Sequence, residues 1–527
     1  MQRSKGESVA GAGSGWLRHP EHRVVIAQHQ DPVATAERLA GAGHVAEAID
    51  LLTPLADGPA PSHKVLWVLS MLYKEFGRYD AALAIGRKAT NLYPASGVAW
   101  HNLAVTLGDM GRPAEARSAA QKALANLDRP ETWLVYARAL LLLGELDAAA
   151  TAFRQALQRR PDYLTAAVEL ARLVWMHTGD VHAAIAVLDA AQRAGAPETP
   201  VALARGRLLR AAGAEHDERT TLEAALERAP NDVFLLQAVA QAELETGDVD
   251  YGASLAARLE ALGRDNVAAN LQHASLLLAQ GRAEQALIRA RHATELEPHN
   301  QAAWGWLATA ARATGDPVYR WLCDYDRLVR SYDLDEVPGW SNRTAWLVDL
   351  AAALRRVHPL SFQQPEQSVR GGVQTMIELS TLDDPAVKAL FAAIESPIRS
   401  YMSSVGDDPS HPLTQRNTHR YRVSGSWSVL LRRNGYHVDH FHPRGWISSA
   451  FYVEVPQNAL GSESHEGWIR FGQPPFRTVP AMQPEHFVRP APGKLVLFPS
   501  YMWHGTVPFT TAESRLTISF DAVPAQA

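Results

Sequence analysis

The chain has 527 residues, of which 46% are apolar and 20% charged, with a formal net charge of −5 and one cysteine, Cys323. That length exceeds what one hydrophobic core fills, so several folded units are expected. The weak negative charge offers no basic stripe to a phosphate backbone, which excludes nucleic acid as an expected partner, and a lone cysteine excludes an intramolecular disulfide.

Residues 1–30 contain Gly11, Gly13, Ser14 and Gly15 but no apolar signal-peptide core, and read as a mobile tail. No apolar run in the chain approaches the roughly 18 residues that span a bilayer. A cytoplasmic protein without a membrane partner is expected.

From about residue 31 the chain keeps a clock. Gly43, Gly77, Gly111, Gly144, Gly179, Gly213, Gly247, Gly281 and Gly315 are spaced by 33 to 35 residues, and Pro94, Pro161, Pro230 and Pro298 recur at about twice that step. Glycine in a left-handed conformation ends one helix, and proline, lacking an N–H, marks the end of another. Between these marks the spacing is helical. Trp133, Tyr136, Ala137 and Leu140 recur at i, i+3, i+4 and i+7, and Ala149, Phe153 and Ala156 follow Gly144. Each beat therefore predicts two antiparallel amphipathic helices. With Trp100, Leu103, Ala104, Leu107, Ala116 and Ala123 around Gly111, and Ala286, Ala293 and Pro298 around Gly281, residues 31–320 resemble an array of tetratricopeptide repeats. The resemblance implies a superhelix whose concave face holds a protein or peptide. His101, Val105, Leu134 and Arg138 stand where a carboxylate clamp would need lysine and asparagine, so the ligand is not legible.

The clock stops after Gly315. Residues 316–345 carry Trp321, Tyr325, Tyr332 and Trp340 and read as a stretch that packs the array on the next domain. Apolar spacing predicts helices over 345–358 and 385–405. Strands are predicted over 426–432, 447–455, 467–471, 494–498 and 515–521, where short apolar runs are broken by Gly and Pro. The expected organisation is a tail (1–30), an array (31–320), a junction (321–340) and a β-rich domain (341–527). The fold class is a multidomain α + β chain: an all-α repeat superhelix, then a sandwich or barrel with flanking helices.

Histidines cluster in the β-rich part, as His437-Val438-Asp439-His440-Phe441-His442-Pro443, with His504 and then Arg515 downstream. Non-haem Fe(II) oxygenases need three protein ligands on one face of the metal, leaving positions for a 2-oxo acid and O2. Two ligands at i and i+2 share one face of a strand. An arginine can hold the distal carboxylate of 2-oxoglutarate through a planar fork. Two ligand sets are open on this reading: His437, Asp439 and His504, or His440, His442 and His504. On a regular strand the pairs 437/439 and 440/442 face opposite sides, so only one can meet the metal. Asp439, if not a ligand, can orient a ligand imidazole. Gly371-Gly372 suits a tight turn or a close backbone approach to a ligand.

The stretches 367–375, 435–456 and 493–509, closed by Arg515, resemble the 2-oxoglutarate–Fe(II) oxygenases with a double-stranded β-helix, or jelly roll. That resemblance places His440, His442 and His504 at the metal, with Arg515 on the co-substrate and no catalytic group beyond the ligands. It implies Fe(II) and 2-oxoglutarate, and oxidation of a side chain on a protein or peptide that the array captures. The alternative is an interaction scaffold whose β-helix domain is inactive or senses metal. The capture reading also expects the β-rich part to survive deletion of residues 1–310.

Overall fold

The computed structural model describes residues 31–262, 266–460 and 463–525; the expected tail lies outside them. Two compact units are present, divided between Tyr93 and Pro94. The first holds two helical hairpins, Pro32–Gly41 with Val45–Asp57 and His63–Glu75 with Tyr79–Leu92. In the second, the hairpins continue from Gly97–Asp109 to the helix Gln301–Thr314.

The two clocks have the expected structural meaning. Eight of the nine periodic glycines adopt positive φ between the helices of a hairpin. Gly247 is the exception, at φ −120°. An added Cβ there would meet the end of the Glu243 side chain, which would have to shift. The prolines each lie two residues beyond a helix, as Pro161 does beyond Leu146–Arg159. Ala137, Ala149 and Phe153 are fully buried between neighbouring helices. Trp133 is only half-buried, with the Arg159 guanidinium over its ring. N-caps reinforce the starts: Asp180, Asp232, Asp248 and Asn300 each accept from a backbone N–H in the first turn. Among the described residues no helix is long and apolar enough to cross a membrane.

The last third forms two antiparallel sheets, the arrangement of a double-stranded β-helix. The strands are β1 (Arg330–Asp333), β2 (Val369–Gln374), β3 (Tyr421–His437), β4 (Ile447–Glu454), β5 (Ile469–Phe471), β6 (His486–Val488), β7 (Lys494–Pro499), β8 (His504–Thr506) and β9 (Arg515–Pro524). Six of them order as β1-β7-β4-β9-β3-β2, and three as β6-β5-β8. The stretch expected as a junction thus supplies an edge strand, β1. On β9, Leu516, Ile518 and Phe520 are fully buried. Ile518 sits opposite Phe451 of β4, whose ring packs on Trp346 of the helix Arg343–Arg356. Gly371-Gly372 is not a reverse turn, and neither residue lines the cavity described below. It forms a bulge in β2, where Gly371 has φ +62° and a Cβ on Gly372 would lie 2.6 Å from the Leu430 carbonyl oxygen.

The β-rich domain is seated on the edge of the array where its hairpins turn. The last carbonyls of a helix have no partner within it, and the domain supplies several. Ser361 and Phe362 donate backbone N–H groups to Met176, Gln363 donates its side-chain amide to Ala211, and Val479 donates to Leu278. The Arg312 guanidinium reaches the Gly472 carbonyl at 2.8 Å and pairs with Glu485 at 3.1 Å. Trp503 donates its indole N–H to Thr309 at 2.9 Å. These contacts argue against separability at residue 310. A fragment beginning at 311 lacks Trp306 and Thr309 and exposes Trp503 and Phe476, and apolar patches of that kind drive association. Such a fragment is expected to aggregate and to show no cooperative melt, by size-exclusion chromatography and calorimetry. A monodisperse fragment melting like the full chain would refute this.

Candidate metal centre

The central histidines owe their placement to a break in regular structure. Strand β3 ends at His437, and the chain then leaves the pleat. His440 rejoins the sheets only through an isolated bridge to His504, each donating its N–H to the other's carbonyl at 2.9 Å. Strict alternation of side chains holds only within a pleated strand. It fails here, so His437, His440 and His442 all line one cavity of about 580 Å³, together with His504 and Arg515.

The structure brings His440, His442 and His504 together: one ring nitrogen from each lies within 4.8 Å of the others. Nδ1 of His440 and of His504 each sits 2.9 Å from a backbone carbonyl, of Val438 and Met502 respectively. A carbonyl only accepts, so both rings carry their proton on Nδ1. His442 directs its Nδ1 to Asp521 Oδ1 at 2.6 Å. All three Nε2 atoms are left with lone pairs turned inward, and those of His440 and His442 face each other at 3.3 Å. Two such lone pairs repel unless a cation lies between them. Burial, then His442, pushes the His440 pKa down to about 3, and burial also holds His504 well below the ordinary histidine value. His440 and His504 are therefore held neutral, as metal ligands must be.

Asp439 is placed elsewhere. It is 5% exposed, and Arg470 of β5 grips both its oxygens, Nε reaching Oδ1 at 3.0 Å. It therefore braces the loop before His440 against the strand beside β8 and orients no imidazole. His437 remains in the cavity, its Nδ1 3.0 Å from Ser368 Oγ and its ring stacked on His440. Arg515 is 2% exposed, with Nε unpartnered and its guanidinium over the Tyr452 ring at 5.0 Å. Among the described residues no carboxylate forms an ion pair with it. A buried charge without an ionic partner is costly, so an anion entering the cavity would stabilise it. Other histidines serve packing: His411 is fully buried between Trp321 and Tyr501, and His465 stacks on Phe487.

Residues 425–521 match the family described as "Putative 2OG-Fe(II) oxygenase", and residues 63–96, 101–163, 137–199 and 271–318 match tetratricopeptide repeats. Tetratricopeptide repeats thus run through the N-terminal part of the chain, and residues 425–521 form a domain similar to that putative oxygenase family. Among solved structures, a tetratricopeptide repeat protein from Parabacteroides merdae ATCC 43184 is 17% identical, over 47% of this chain and 98% of its own, with a TM-score of 0.35. The MamA RS-1 ArsTM double mutant is 16% identical, over 31% and 95%, with a TM-score of 0.28. No curated protein matches.

One residue of the oxygenase-family domain went unread in the sequence. Asp521 accepts from His442 and also from Ser448 Oγ at 2.7 Å. A signal for it exists: Arg515, Thr517, Ser519 and Asp521 alternate with Leu516, Ile518 and Phe520, and all four polar residues line the cavity. A period-2 polar stripe on a buried strand marks a lined site. Carboxylates behind ligand imidazoles fix the tautomer, and their loss costs roughly 10–100-fold in metal affinity. Asp521→Asn is expected to weaken Co(II) binding within that range, measured by competition with a chelator, and wild-type affinity would remove Asp521 from the centre.

Proposed function

We propose that this chain is an Fe(II)- and 2-oxoglutarate-dependent oxygenase that hydroxylates a side chain of a protein or peptide presented by its repeat array. The observation that carries the reading is the convergence of three imidazole Nε2 lone pairs in the cavity that also holds the unpaired, buried Arg515. The donor set fits the metal the family implies, since three imidazole nitrogens on one side leave the cavity side free. When bound, the ferrous ion with 2-oxoglutarate and O2 supplies the oxidising chemistry.

The chain's own residues orient and enclose. His440, His442 and His504 hold the metal, and Asp521 keeps the His442 proton on Nδ1. Arg515 receives the distal carboxylate of the co-substrate through its planar fork. Thr517 and Ser519 line the cavity between Arg515 and Asp521. At about 580 Å³ the cavity is in the usual range for a small-molecule site, with room for the co-substrate and an entering side chain. We assign the array to 31–320, the junction to 321–340 and the oxygenase domain to 341–527, with β1 of the junction completing its sheet.

The test is conversion of 2-oxoglutarate to succinate by the full chain with Fe(II), followed by a search for a +16 Da change on proteins captured by His504→Ala. No succinate under aerobic conditions, from protein that has bound iron, would favour the scaffold reading.

A further inference from the structure

We propose that Trp306, in the helix Gln301–Thr314 of the repeat array, is a positioning residue for the metal centre of the oxygenase domain. The inference rests on the reading of His440, His442 and His504 as ligands. It adds that their geometry is set from outside the domain that bears them.

The residues flanking the ligands in sequence carry the argument. Phe441 stands between His440 and His442, and Trp503 immediately precedes His504. Trp306 touches both rings: Phe441 edge-on with centroids 5.5 Å apart, and Trp503 at 4.7 Å. Phe441 and Trp503 also meet each other at 4.9 Å. One indole thus closes an aromatic cluster over the two ligand-bearing segments, beside the His440–His504 bridge that joins their backbones. Phe476 also stacks on Trp306, with centroids 5.9 Å apart.

The indole is itself anchored in the array. Its N–H donates to Ser275 Oγ at 2.5 Å, in the neighbouring helix Val267–Ala279. One turn beyond Trp306, Thr309 Oγ1 accepts from the Trp503 indole N–H. Gly305 lets the helix come this close, because a Cβ there would lie 2.8 Å from the Tyr501 carbonyl oxygen. Ligand sets must be held to about 0.5 Å by packing outside the first ring of contacts. His440 and His442 lie on a segment with no strand of its own, tied to the sheets by backbone bonds to His504 and Ser500, so its remaining freedom is limited by such packing. A rigid helix pressing on Phe441 supplies it.

The experiment is Co(II) titration of the full chain, read by visible absorption, on wild type, Trp306→Ala, Trp306→Phe and Trp175→Ala. Trp175 is the control because it lies in the same interface, against Phe362, and touches no neighbour of a ligand. Trp306→Ala is expected to weaken Co(II) binding about tenfold and to shift the ligand-field bands. Trp306→Phe should restore most of both, and Trp175→Ala should leave the spectrum unchanged even if it lowers the melting temperature. Wild-type affinity and spectrum in Trp306→Ala, or an equal loss in Trp175→Ala, would overturn the proposal. If Trp306→Ala does not fold, Thr309→Val decides: it removes the bond to Trp503 at constant shape, and an unchanged spectrum there overturns it. His504→Ala separates the two levels, since wild-type Co(II) binding by that variant would remove the ligand set itself rather than the role of Trp306.

Discussion

His504→Ala is expected to lose metal binding altogether, and His440→Ala to do the same, while His437→Ala should retain it. His504 is buried on β8, and its Nε2 is one of three inward lone pairs; removing it leaves two imidazoles on one loop with no donor opposite. The loss should exceed the roughly 10–100-fold that an outer partner costs. His437 is the informative contrast. It lines the same cavity, but its Nδ1 meets Ser368 and it stands outside the converging trio. Metal content after dialysis, with Co(II) titration of each variant, checks the series. Iron lost from His437→Ala and kept by His442→Ala would transfer the assignment to His437, Asp439 and His504. That set would require Asp439 to leave Arg470, which engages both its oxygens.

Arg515→Ala is expected to weaken 2-oxoglutarate binding about a hundredfold and to leave metal content intact. A buried carboxylate deprived of its charged partner typically loses ~3 kcal/mol or more, which corresponds to that factor. Arg515 enters β9 opposite Leu431 of β3, so its guanidinium is carried by the central strands of the larger sheet. Arg515→Lys should recover only part of the affinity, because an ammonium keeps the charge and loses the planar fork. Calorimetry on manganese-loaded protein checks both variants. Unchanged affinity would place the co-substrate elsewhere, whereas lost metal would mean that the substitution had damaged the packing around Tyr452.

Local repetition determined most of what was legible in advance. A helical hairpin is specified by spacing within a few turns, so glycines 34 residues apart announced the array before any contact was known. The longer strands β3, β4, β7 and β9 were likewise marked by their own apolar runs. β1, β6 and β8 have only three or four residues, too few to show a period, and exist because a distant partner strand completes them. The candidate ligands were legible as a histidine cluster, and Asp521 could have been read from the alternation along β9. The family resemblance chose among the histidines, whereas the residue pattern alone left two sets open, because the answer turned on where β3 stops: a pleat continued through His442 would have put His440 and His442 on the face opposite His437. Trp306 marks the limit. In sequence it is an aromatic residue of a repeat helix like several others. Only the docking of two segments some 135 residues apart sets it against Phe441, since packing between elements depends on shape and burial that no local pattern encodes.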